Sequence, residues 1–177
     1  MNGRTTGLWA LLAAGLVLTS CEEGAPVATL TTDLEAYLNA DGVTIGGEHV
    51  FLNAEGVRAS RIEFDTMYQW RDSTHHTLRG IDLRVLNEDG SQRTHVTALR
   101  GRMDPRGEGL LAQGDVVLVM AAEDRRLETG ELHYDPDNDR IWSDSSFVMT
   151  FQGRVIRGSA FTSDTEFRSF QATGPGG

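Results

Sequence analysis

The feature that most constrains this chain is a series of short β-rich runs, each closed by turn residues. Val116-Val117-Leu118-Val119-Met120 is the plainest, following Gln113-Gly114-Asp115. Comparable runs cover 78–86, 94–100, 127–134, 140–151, 154–162 and 167–172. Between them stand Asn87-Glu88-Asp89-Gly90, Asp104-Pro105-Arg106-Gly107, Asp135-Pro136-Asp137-Asn138 and Gln152-Gly153. Each combines residues that accept left-handed backbone or bond their own main chain. Many short strands with regular turn punctuation predict an all-β domain over about 40–171. With 39% hydrophobic residues in 177, the chain can bury a core of its own.

The start of the chain has a different character. Arg4 precedes the apolar run Gly7–Leu18, GLWALLAAGLVL. That run is shorter than the roughly 20 residues needed to span a bilayer, but fits the core of a secretory signal. Leu18-Thr19-Ser20-Cys21 closes it, a pattern that resembles the bacterial lipobox. Cys21 is the single cysteine, so it has no disulfide partner within the chain. The expected organisation is a signal peptide over 1–20, a tether over 21–39 beginning at a lipidated Cys21, the β domain over 40–171 and a disordered tail over 172–177. Within the tether, 30–39 has helical character, with Thr32 as its cap.

The formal net charge is −10, and every basic residue is arginine. An acidic chain without a basic stripe is a poor nucleic-acid binder, and no polybasic run addresses a membrane surface.

Catalytic and metal-binding chemistry is sparse. Asp135, Asp137 and Asp139 alternate like the start of a calcium loop, but the sixth position is Arg140 rather than glycine, and the context is strand, turn, strand. Asp-Pro-Asp-Asn therefore reads as a turn. The histidines His49, His75, His76, His95 and His133 lack zinc-type spacing. No nucleotide-binding or nucleophile-elbow motif occurs, so no cofactor is expected. Ser143-Asp144 and Ser163-Asp164 lack a locally placed histidine base and read as strand-end polar pairs.

Short internal echoes recur. Ser143-Asp144-Ser145-Ser146-Phe147 returns as Ser163-Asp164-Thr165-Glu166-Phe167, and Leu78-Arg79-Gly80 as Leu99-Arg100-Gly101. Such spacing predicts a stack of out-and-back strand pairs, each burying its apolar face on the next.

Gly114-Asp115-Val116-Val117-Leu118, Leu127 to Pro136 (LETGELHYDP), Ile141-Trp142-Ser143-Asp144 and Ile156 to Asp164 (IRGSAFTSD), in this order, resemble the LptC family of lipopolysaccharide export. The resemblance covers about 40–170 and is most specific after Leu110. It implies an LptA/LptC-like β-jellyroll, an open V-shaped stack of antiparallel strands with an apolar trough for acyl chains. It implies no catalytic activity. The implied partners are lipopolysaccharide, an LptB/LptF/LptG transporter that delivers it, and an LptA-like bridge that receives it by strand pairing. The expected trough residues are Leu83, Val85, Val96, Val116, Leu118, Met120, Phe147, Met149, Phe151 and Phe161. Family members typically carry a transmembrane helix where this chain has a lipobox, so the inner membrane is expected and the outer membrane stays open as the site of the anchor. The alternatives are a structural envelope lipoprotein bridging proteins by its strand edges, and a secreted hydrolase.

Overall fold

The computed structural model describes residues 27–52, 56–106 and 109–174. Residues 1–26, with the expected signal peptide and Cys21, lie outside the described residues.

A helix, α1 (Val27–Asn39), leads into eleven strands. They are β1 (Gly42–Leu52), β2 (Arg58–Gln69), β3 (His76–Leu86), β4 (Gln92–Met103), β5 (Leu110–Met120), β6 (Arg125–Asp135), β7 (Arg140–Ser143), β8 (Phe147–Phe151), β9 (Arg154–Gly158), β10 (Ala160–Ser163) and β11 (Gln171–Thr173). All belong to one sheet, and every pairing in it is antiparallel. From β1 to β6 each strand pairs with the next; β6 then pairs with β7 at its C-terminal half and β8 at its N-terminal half. Sequential pairing follows from the short turns, which leave a strand no partner closer than its predecessor.

A crease crosses the sheet. The ladder skips Gly46 and Asp65 between β1 and β2, Asp65 and Gly80 between β2 and β3, and Gly80 and Leu99 between β3 and β4. It skips Gly114, Asp115 and Gly130 between β5 and β6. Gly46, Gly80, Gly114 and Asp115 all have positive φ along this line. A Cβ on Gly80 would run into the Asp65 carboxylate, so glycine is required there on two counts. The inward face changes parity at the crease. Ile62 and Phe64 give way to Met67, Leu78 to Ile81, Val96 and Ala98 to Gly101, and Thr129 to Leu132. Simple alternation would require even steps; the odd step lets both halves of a strand point their apolar side chains inward.

The two halves thus become leaves of one sheet facing each other. Phe147 of β8 meets Phe161 of β10 edge-on at 5.2 Å and Phe170 at 5.7 Å. The Arg125 guanidinium, at the start of β6, lies 4.5 Å from the Phe151 ring and 5.1 Å from the Phe167 ring, and donates to the Phe167 carbonyl at 3.1 Å. Ser159 N–H donates to the Thr173 carbonyl at 2.8 Å. These contacts close the C-terminal end. At the other end, among the described residues, β1 pairs only with β2.

Several expectations are revised. Residues 113–115 form no turn: Gly114 (φ 78°) and Asp115 (φ 47°) make a bulge inside β5, because paired left-handed residues fit a crease as readily as a reversal. The runs 140–151 and 154–162 are each two strands, broken at 144–146 and at Ser159, where their halves enter different leaves. The strand expected over 167–172 is confined to Gln171–Thr173, with Phe167 in left-handed backbone at φ 57°. The expected tail is ordered as far as Thr173, since Ala172 and Thr173 pair with Phe161 and Ala160 of β10. The helix begins at Val27, within the expected tether, and Thr32 lies inside it rather than at its cap. Asp33 of α1 pairs with Arg79 of β3 at 2.9 Å.

Candidate functional site

The main cavity, about 560 Å³, opens between the leaves at the β1 end. Its walls are the C-terminal part of β1 (Val50, Phe51, Leu52), Ile62 of β2, and Leu83, Val85 and Leu86 of β3. Met103, Leu110 and Tyr134 face them from the other leaf. That size falls within the range of small-molecule sites. Most of the lining residues are apolar; Ser60, Arg93, Arg106 and Asp137 supply polar groups.

Beneath this mouth lies a void of only about 20 Å³, lined among others by Val96, Leu118, Leu132 and Ile141. Leu83, Val85, Arg93, Leu110 and Tyr134 line both spaces and separate them. Arg93 reaches Glu166, in the loop after β10, at 2.9 Å and so links the two leaves. Burial pushes the Tyr134 phenol above its ordinary pKa, opposed by the nearby Arg93 charge. The phenol is therefore neutral at physiological pH and presents an uncharged wall.

The expected trough residues divide by depth. Leu83 and Val85 line the mouth. Val96 and Leu118 line the small inner void. Val116, Met120, Phe147, Met149 and Phe161 are buried in the packed core, and Phe151 packs partly exposed against it. Sequence reasoning missed Val50, Phe51, Leu52 and Ile62, because β1 and β2 alternate weakly around Gly46-Gly47 and Asp65. The available signal was the Val50-Phe51-Leu52 run itself.

The polar motifs fall into structural places. Asp135 accepts from the Asn138 backbone at 3.1 Å and its amide side chain at 2.8 Å, while Asp139 N–H donates to the Pro136 carbonyl at 3.2 Å. The Asp-Pro-Asp-Asn segment is thus a self-bonded turn. Ser143 is fully buried, 3.0 Å from the Thr129 hydroxyl. The second copy of the motif lies on the neighbouring strand, with Ser143 opposite Phe161 and Ser163 opposite Ile141. Ser143 is thus paired with a threonine hydroxyl, with no histidine base beside it among the described residues.

One creased antiparallel sheet, closed by aromatic packing at one end and open at the other, is an open β-jellyroll of the LptA type. LptH, described as the LptA homologous periplasmic component of the lipopolysaccharide transport device of Pseudomonas aeruginosa, has this fold. It superposes with a TM-score of 0.50 at 14% identity, covering 66% of this chain and 82% of LptH. Comparison with curated proteins gives no match. The family described as lipopolysaccharide-assembly, LptC-related, matches residues 12–171, and the chain belongs to it. Its role is in lipopolysaccharide transport.

Proposed function

We propose that this chain is a lipid-anchored periplasmic carrier that holds lipopolysaccharide acyl chains between its leaves. In this reading it takes the lipid from an LptB/LptF/LptG-type transporter and passes it to an LptA-like bridge protein, with no catalytic step of its own. The observation that carries the reading is the apolar mouth at the β1 end. Burying acyl methylenes there is favourable by about 0.8 kcal/mol each, so retention needs lining rather than a reactive group. Leu83 and Val85 meet the lipid first, followed by Val96 and Leu118. Val116, Met120, Phe147, Met149, Phe151 and Phe161 are reached only if the leaves part, because the void beneath the mouth is about 20 Å³.

Photocrosslinking probes at Phe51 and Val85 test this. Capture of lipopolysaccharide from both positions supports carriage. Absence of capture while the folded protein still docks its partners rejects it.

A bridging role without lipid has one favouring observation, the outer edge of β1, unpaired among the described residues, where Ile45 and Leu52 are exposed. Mass spectra of the purified protein separate the two readings, since co-purified lipopolysaccharide belongs only to a carrier. Among the described residues no helix is long and apolar enough to cross a membrane. Attachment is assigned to lipidated Cys21, with the inner membrane expected from the family. Cys21→Ala releases the protein from the membrane fraction if that assignment holds.

A further inference from the structure

His133 has no zinc-type spacing in the sequence, but the sheet gives it neighbours that spacing does not show. Glu131 lies two residues before it on β6, on the same face. Asp144 follows the last residue of β7, whose Trp142 sits directly opposite His133. One ligand atom from each of Glu131, His133 and Asp144 can be chosen so that all lie within 4.8 Å of one another. Glu131 Oε1 and His133 Nε2 are already 3.8 Å apart. Donors about 2.0–2.2 Å from a shared ion sit roughly 3–4 Å from each other, so small side-chain rotations complete the set.

The imidazole is also held in place. It stacks on Trp142 with ring centres 4.6 Å apart and planes 9° from parallel. The Arg140 guanidinium in turn lies 4.4 Å from the Trp142 ring. Glu131 and His133 are half-buried, their side chains 24% and 27% exposed, which limits the freedom lost on binding. No hydrogen bond or ion pair engages the Asp144 carboxylate among the described residues, so it is available to an incoming cation.

We propose that Glu131, His133 and Asp144 form a site for a divalent transition cation of the Zn²⁺ or Co²⁺ type. One imidazole and two carboxylates suit such borderline ions, with water completing the coordination. The site lies on the crease. Glu131 adjoins Gly130, which the ladder skips, and Asp144 opens the break between β7 and β8. A bound ion ties β6 to that break and stiffens the hinge between the leaves.

Co²⁺ titration of the purified protein, followed by tryptophan fluorescence, tests the proposal, because Trp142 contacts the ligand imidazole. Saturable quenching is expected. His133→Gln and Asp144→Asn should weaken it by about tenfold or more, while His95→Gln, at a separate ion pair with Asp82, leaves it unchanged. Asp144 is exposed, so its variant keeps the fold and decides the matter even if His133→Gln does not fold. Absence of saturable quenching, or quenching of equal affinity in Asp144→Asn, overturns the proposal and leaves His133 as a structural partner of Glu131 and Trp142.

Discussion

At the scale of single residues, glycines and aspartates set the geometry. Gly80 combines a φ of +62° with the Asp65 carboxylate where a Cβ would stand. Gly80→Ala is expected to destabilise by about 1–3 kcal/mol, read as a lower denaturation midpoint with unchanged m-value. Asp135 sits below the ordinary carboxylate range because the Asn138 side chain and backbone amide both donate to it. A depressed folded-state pKa contributes stability above the unfolded value of 3.8, and that contribution fades as pH falls through the folded value. Thermal melts across this acid range should therefore show a shallower loss for Asp135→Asn than for the parent. The turn was legible in the sequence because Asp, Pro and Asn act through their own main chain. The bulge at Gly114-Asp115 was not, since the same dipeptide serves a turn or a crease, and only the neighbouring strands decide which.

Among the elements, the strands with regular alternation were found and those with a break were misread. Residues 140–151 have the composition of one strand, but Ser143 turns inward to Thr129 and Phe147 restarts the buried series in the other leaf. β8 carries the closure of the sheet. Phe147 is 2% exposed and touches Phe161 and Phe170. Phe147→Ala should cost about 3–5 kcal/mol, whereas Val148→Ala, on the outward face of the same strand, should cost well under 1 kcal/mol. Equal losses at the two positions, measured by chemical denaturation, would mean that β8 does not pack inward as described. β1 went unread because Gly46 and Gly47 dilute its pattern, yet it supplies a wall of the mouth and an edge unpaired among the described residues.

For the whole molecule, the facing of the leaves matters most. It places Leu83 and Val85 of one leaf across from Leu110 and Tyr134 of the other and leaves the mouth between them. If lipid occupies this mouth, lipopolysaccharide should raise the melting temperature, by the equivalent of about 2.7 kcal/mol at a hundredfold excess over Kd. Leu52→Glu, at an exposed rim position, should keep the fold and reduce that shift by placing a charge against acyl chains. A thermal shift equal in parent and variant would place the lipid elsewhere.

The sequence by itself determined the strand content, the turns at Asn87–Gly90 and Asp135–Asn138 and the family, because each rests on local chemistry or on the order of short motifs along the chain. Tertiary structure alone decided the crease, the division of the apolar residues into mouth and core, and the meeting of Glu131, His133 and Asp144. Those depend on which residues stand opposite one another across strands, and on a change of parity that no single strand can show until its neighbours bend with it.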